Sequence, residues 1–428
     1  MNFNATTISS FESTSNQRNV WNIVWSCLMT VLACTWVSVH PNIPAISNST
    51  AVIYLRRTWL MLCGLIAPEI IIFWAMKQWY CARKIEMRHK ERGWTMTHGY
   101  FLQMGGFVLG PMNNDGHPLG VLELEEMHSE GNIEWPDITE SEIKDKSKGD
   151  ALSKGIATLQ TSWFLVQCIG RGSSGLAITE LEILTLAFAT LNVVTYFFWW
   201  NKPVDVRLPH TVTPKPNTIS VSFPPPPPSL INISSSEHGP PSRVPTNPGA
   251  MQWASQIMFP LMPVMQGLLH TIRRFMGQTL KPDRAHIFCL AKASPNRRTL
   301  LQMTAACAIL GSIFGGIHCI AWSFQFPSHQ EQISWRISSM VITCSPALLV
   351  PLSATLQCTR SGLKGAHLCW SRYFWMFAEV LRGTALVLTV LIYITARLVL
   401  IIQACMALRK LSPGALESMA WTSFVPHF

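Results

Sequence analysis

Five ionisable residues lie inside stretches that are otherwise apolar: Glu69, His318, Glu379, Arg382 and Arg397. A charge held in hydrocarbon is costly unless it is paired or hydrated, so each is a proton or ion site or half of a buried pair. Glu69 follows Pro68, a residue without an amide proton, which frees a backbone carbonyl nearby. That arrangement suits a proton or cation site, or a pair with Arg397 or His318. Glu379 and Arg382 stand three apart on one helix face and can satisfy each other. Pro346 and Pro351 interrupt another apolar run, where prolines mark a kink, a hinge or the edge of a cavity.

Other chemistries find little support. No serine–histidine–acid, paired-carboxylate or zinc pattern stands out, and catalytic groups meet in space rather than in sequence, so an enzyme has no positive indication. His98 in "THGYF" has no second ligand at metal spacing, and no cofactor is called for. "GRGSSG" (170–175) matches G-x-G-x-x-G but lacks the strand before and helix after that a dinucleotide site requires. Small residues that let helices approach closely are the better account. The 12 cysteines form no CxxC pair, so no disulfide framework is expected. Most lie in apolar runs as small hydrophobes, and Cys81, Cys289, Cys358 and Cys369 lie near basic edges suited to palmitoylation.

These residues need apolar elements to hold them, and the composition supplies them. The 428 residues are 48% hydrophobic and 13% charged, about half the charge of an ordinary soluble chain. The net charge of +10 would suggest nucleic acid in a soluble domain. Here the basic residues flank apolar runs, so they read as topology determinants and headgroup contacts, with the lipid bilayer as partner and no nucleic acid.

A spanning helix needs about 20 apolar residues. Strong candidates are 20–40, 58–79, 183–200, 302–325, 335–357 and 375–402, with a weaker one at 157–178 that Gln160, Gln167 and Arg171 interrupt. A signal peptide at the start is not expected, because the leading region is nearly uncharged and no A-x-A site follows. Basic residues after 58–79, before 302–325 and around 358–374 place those segments in the cytoplasm. Parity then makes 157–178 a crossing rather than a re-entrant loop. The expected fold is mainly α: a polytopic bundle of about seven spans with a small α+β soluble insertion and a Pro-rich disordered loop. The N-terminus would be cytoplasmic and the C-terminus outside, where Arg409 and Lys410 fit poorly. The sequon at Asn48 would face outward, leaving Asn4 and Asn232 unused.

The segments divide as 1–80 with two spans, 81–156 as the soluble insertion, 157–202 as a helical hairpin, 203–250 as a Pro-rich linker, 251–301 as a basic juxtamembrane segment, and 302–428 with three spans and a tail. Asp115-Gly116 suits a tight hairpin turn, and Thr139 with Glu142 forms a capping-box pattern. Of the 28 prolines, 13 fall in 203–250, including 224–228, which favours polyproline II structure and polyproline-binding cytoplasmic partners. From about 140 the sequence runs from charged to apolar with no turn cluster. A continuous helix is expected there, with Gly149, Gly155, Trp163 and Arg171 along it, either coupling the insertion to the bundle or simply anchoring it.

"WSCLMTVLACTWVSVHPNIP" (25–44), "APE" (67–69), "WTMTHGYF" with "MGGF" (94–107), "DKSKGDALSKG" (145–155), "QTSWFLVQCIGR" (160–171), "TELEILTLAFATLN" (179–192) and "WWNKPVDV" (199–206) resemble a family of fungal multi-pass membrane proteins without an established biochemical activity. The resemblance covers most of 20–206 and is weaker in the last third; "IGRGSSG" departs from the pattern after Arg171. It implies a fungal integral membrane protein and carries over no catalytic residue. A membrane sensor or scaffold is the first expectation, a transporter or channel using the intramembrane ionisable residues the second. A seven-span receptor rests on count alone, and an enzyme acting on lipids comes last. The sequence names no ligand or oligomeric state, and does not choose between plasma membrane and endomembrane.

Overall fold

The computed structural model describes residues 18–44, 48–110, 117–147, 150–215, 296–365 and 369–419. The Asp115-Gly116 turn, Gly149, the 224–228 tract and the sequons at Asn4 and Asn232 lie outside these residues. The side chains of Pro351, Glu379 and Arg382 lie outside the described ones as well.

Most of the chain is helical. α1 spans Val20–Leu32 and ends in a π-helical turn, Ala33–Val37; α2 is Thr50–Ile66 and α3 Pro68–Arg88. After a small module come α7 (Asp150–Ser173), α8 (Glu180–Trp199), α9 (Arg297–His318), α10 (His329–Gly365) and α11 (Cys369–Ala407). Four helical stretches are long and apolar enough to cross a membrane: Val20–Val37, Glu180–Trp199, Arg298–Ser323 and Gly383–Ala407. The α2–α3 pair makes a fifth if its two bent halves count as one span. The bundle core is built from Ile72, Ile183, Phe188, Phe314, Trp335 and Leu400, all nearly inaccessible.

The expected straight span 58–79 is not one helix. It is shared by α2 and α3, which are bent by 110° at Ala67. The cause is local: the residue before proline is pushed out of the α region, and Ala67 sits at φ −143, ψ 71. Pro68 then opens α3 at a first-turn position where its missing amide proton costs nothing. "APE" is a helix start, with Glu69 in the first turn rather than in mid-helix.

The module packs on the C-terminal half of α3. α4 (Met96–Gln103) lies so close that a Cβ at Gly99 would come 2.6 Å from the Ala82 carbonyl oxygen. β1 (Phe107–Leu109) pairs antiparallel with β2 (His117–Pro118) and parallel with β3 (His210–Val212), in the order β2-β1-β3. β3 comes from the segment expected to be Pro-rich linker, so residues 203–215 belong to the module's structure. α5 (Val121–Ser129) and α6 (Glu140–Asp145) complete it around Trp94, Phe101, Phe107, Leu119 and Val212. Thr139 and Glu142 form the capping box at the start of α6, with the Thr139 amide donating to the Glu142 carboxylate at 2.6 Å. α6 ends at Asp145 and α7 begins at Asp150, so the continuous helix expected from 140 is two helices.

Contacts sort the helix ends into two groups. At the module end, Asn42 after α1 bonds the Gln103 carbonyl at 3.2 Å, and Lys154 of α7 bonds the Trp200 and Lys202 carbonyls after α8. Thr299 of α9 neighbours Tyr80 of α3 at that end. At the far end, Arg18 before α1 forms a bidentate pair with Glu182 of α8, at 2.6 and 3.0 Å. There also Trp335 of α10 bonds the His318 carbonyl, and Arg409 after α11 pairs with Glu331 at 2.9 Å. Among the described residues, α1, α7, α8 and α9 therefore run between the two ends, while the start of α10 and the end of α11 meet at the far one. The outer limbs of the broken pair both return to the module end: Arg57 of α2 pairs with Asp205 at 2.8 Å, and Gln78 of α3 accepts from Trp199.

Candidate functional site

The break at Ala67 gives two helix ends in the middle of the bundle, each with unpaired backbone groups. Two side chains from α11 reach them. Tyr393 donates to Glu69 Oε1 at 2.9 Å, and Arg397 Nη2 donates to the Leu65 carbonyl at 3.0 Å. A carboxylate thus sits at the N-terminus of α3 and a guanidinium at the C-terminus of α2, the signs that helix dipoles favour. Cys307 of α9 approaches the Glu69 carbonyl at 3.8 Å.

Arg397 is fully buried, with its guanidinium carbon 4.0 Å from the Phe314 ring centroid and 5.1 Å from that of Phe188. Aromatic faces stabilise a cation when water is excluded. Its Nε and Nη1 have no hydrogen-bond partner among the described residues. Glu69 and Arg397 attract through space while bonding to different groups. His318 is also inaccessible, its Nδ1 lying 2.9 Å from the Phe314 carbonyl and its Nε2 unpartnered. Phe314 lies between the two, 5.0 Å from the His318 ring. The packing is tight, because a Cβ at Gly311 would lie 2.9 Å from Pro346 Cγ and 3.0 Å from Glu69 Cγ.

Three expected residues, Glu69, Arg397 and His318, are thus brought to one place. Tyr393, Phe314 and Gly311 complete the site and were not singled out from the sequence. Tyr393 carried a signal, since it stands four residues before Arg397 and so shares its helix face. Chemically, the site offers a buried cation with two free donors beside a carboxylate whose partner is a neutral phenol.

Gly155 and Trp163 lie on the outer surface of α7: a Cβ at Gly155 meets nothing within 4 Å, and Trp163 is 49% exposed. Lys154 is buried and caps the end of α8. Arg171 is buried as well, donating to the carbonyls of Ala177 (2.6 Å), Gly414 (3.0 Å) and Glu417 (2.8 Å). The "GRGSSG" stretch is the last turn of α7 and a loop that clamps the C-terminal segment, and Arg18 joins the clamp through the Ala415 carbonyl at 2.7 Å. Asn48 stands just before Ser49, the N-cap of α2.

The module joins the bundle at Gln78. Its side-chain oxygen accepts from Trp199 at 2.9 Å and from the buried Lys202 amine at 2.9 Å, and its carbonyl accepts from Gln103 at 3.0 Å. Lys202 also donates to the His40 carbonyl and lies over Trp199. Within the module, burial holds His89 below its ordinary pKa although Glu125 lies 3.0 Å away, and burial beside Lys146 does the same to His210.

A family model described as a family of unknown function (DUF8562) matches residues 3–222 and 295–428. No curated protein and no solved structure matches the chain.

Proposed function

The chain belongs to this family of unknown function (DUF8562), and we propose that it is a multi-pass integral membrane protein acting as a sensor or scaffold that couples a charged mid-bundle site to a cytoplasmic module. The observation that carries this reading is the course of α3. Glu69 in its first turn belongs to the charged cluster, while Gln78 and Ala82 carry the module. From Glu69 to Ala82 a helix rises about 20 Å, so one rod joins both sites. A change of charge or partner at Glu69 biases the position of that rod, provided two arrangements of the cluster differ in free energy.

The same geometry supports one sidedness. Arg83, Lys84, Arg88, Lys90 and Arg92 gather at the module end, with Arg297 and Arg298 at the start of α9. Basic ends face the cytoplasm. Arg18 donates to the Ala415 carbonyl, which supports putting Arg18 and the segment after α11 together on the opposite face. This reading differs from the seven-span arrangement, whose N-terminus is cytoplasmic. The proline composition of 224–228, which lies outside the described residues, supports a polyproline-binding partner on the same face as the module.

Glu69→Gln in lipid nanodiscs, followed by hydrogen exchange, tests the coupling. Exchange at amides of α4 and β1 is expected to change several-fold while those around Arg171 hold. A response confined to the turn around residue 69 overturns it. A transporter is the second reading, favoured by the free donors of Arg397 at a broken helix. Flux in liposomes that is lost in Glu69→Gln would select it.

A further inference from the structure

A second site lies apart from the charged cluster. Between α7 and α8, walled by Trp79 of α3, is a half-open cavity of about 530 Å³, within the usual range of small-molecule sites. Its walls include Phe197 and Trp200, both largely exposed at the rim. Its floor is polar: Thr161 and Asn192 are 3% and 4% exposed.

The hydrogen bonds at that floor are directional. The Thr161 hydroxyl donates to the Ala157 carbonyl at 2.7 Å, so its proton is committed. It can therefore only accept from Asn192, whose Nδ2 lies 3.1 Å away. This fixes the amide orientation and leaves Asn192 Oδ1 buried without a donor. An unsatisfied acceptor in an apolar helix pair is costly, and a ligand hydroxyl relieves it once the Asn192 side chain turns toward the cavity that it lines. Among the described residues no Asp, Glu, Lys, Arg or His lines the cavity, a lining that suits a neutral ligand rather than a phosphate or a charged headgroup. Asn192 also lies about two turns below Trp200, a depth that neutral lipids reach more readily than ionic ones.

We propose that this groove binds a sterol-class lipid, its hydroxyl donating to Asn192 Oδ1 and its rings lying against Trp79, Phe197 and Trp200. A rigid ring system loses little conformational freedom against flat aromatic walls, which favours it over a flexible acyl chain. The proposal rests on the bundle lying in lipid, but not on the coupling assigned to α3.

The test uses the full chain in nanodiscs with photoactivatable cholesterol, free at the 3-hydroxyl or methylated there. Saturable labelling within residues 158–201 is expected, with the methyl ether at least tenfold weaker and Asn192→Leu losing labelling tenfold. If Asn192→Leu fails to fold, Val193→Trp at the exposed lip should block the groove and abolish labelling on its own. Equal labelling by both probes, labelling unchanged in a folded variant, or stronger competition by diacylglycerol than by cholesterol overturns the proposal. Carbonate extraction separates the two failures: release from the membrane overturns the membrane reading, whereas retention without labelling overturns only the sterol site.

Discussion

Tyr393 holds Glu69 at 2.9 Å across 324 residues of sequence, and it does so where a helix has been broken to receive the carboxylate. Arg397, one turn further along the same helix, secures the other broken end. Local backbone geometry opens the gap, and distant side chains close it.

Removing the phenol should be costly. Tyr393→Phe leaves Glu69 without its hydrogen bond and should lower stability by about 1.5–3 kcal/mol, the usual worth of a bond to a charged group. Thermal unfolding in nanodiscs measures this, and an unchanged melting temperature would show that water replaces the hydroxyl.

Glu69 and Arg397 should behave as one unit although they share no hydrogen bond. Glu69→Gln or Arg397→Met alone leaves an uncompensated buried charge, costing about 3–5 kcal/mol, and the double variant should cost less than the sum. Additive losses in a double-mutant cycle would show that the two are independent.

Gly99→Ala tests the seat of the module. Its Cβ would meet backbone at 2.6 Å, which side-chain adjustment cannot relieve, so about 1–3 kcal/mol of overpacking strain is expected. Limited proteolysis should then cut the module sooner while α7 and α8 stay protected.

Glycosylation reports sidedness. With the module end cytoplasmic, Asn48 should remain unmodified and Asn4 should be modified, the reverse of what the span count from sequence implies. A glycan at Asn48 would show that the module end faces away from the cytoplasm.

Acid should loosen the module first. His89 and His210 are held below their ordinary value of 6.5. The unfolded chain therefore binds their protons more readily, and stability present above pH 6.5 falls as pH drops toward the folded values. Glu140 and Glu142, held below the usual carboxylate value by the Lys144 bond and the Thr139 cap respectively, add their loss only at lower pH. Hydrogen exchange at Phe107–Leu109 between pH 7.5 and 5.5 should quicken several-fold, and a flat profile would refute the assignment.

The apolar runs, the capping box at Thr139, and Glu69, His318 and Arg397 as ionisable groups within apolar stretches are all legible in the sequence. These depend on neighbours a few residues away, where periodicity and capping chemistry operate. The sequence also held the break between α2 and α3, since proline at a helix start follows from backbone sterics alone. Packing, in contrast, brings Tyr393 and Arg397 to Glu69 and Leu65, pairs β3 beside β1 a hundred residues away, and sets Arg171 to clamp the C-terminal segment. Each joins groups far apart in the chain, whose meeting depends on how whole helices pack, and no local pattern carries that information.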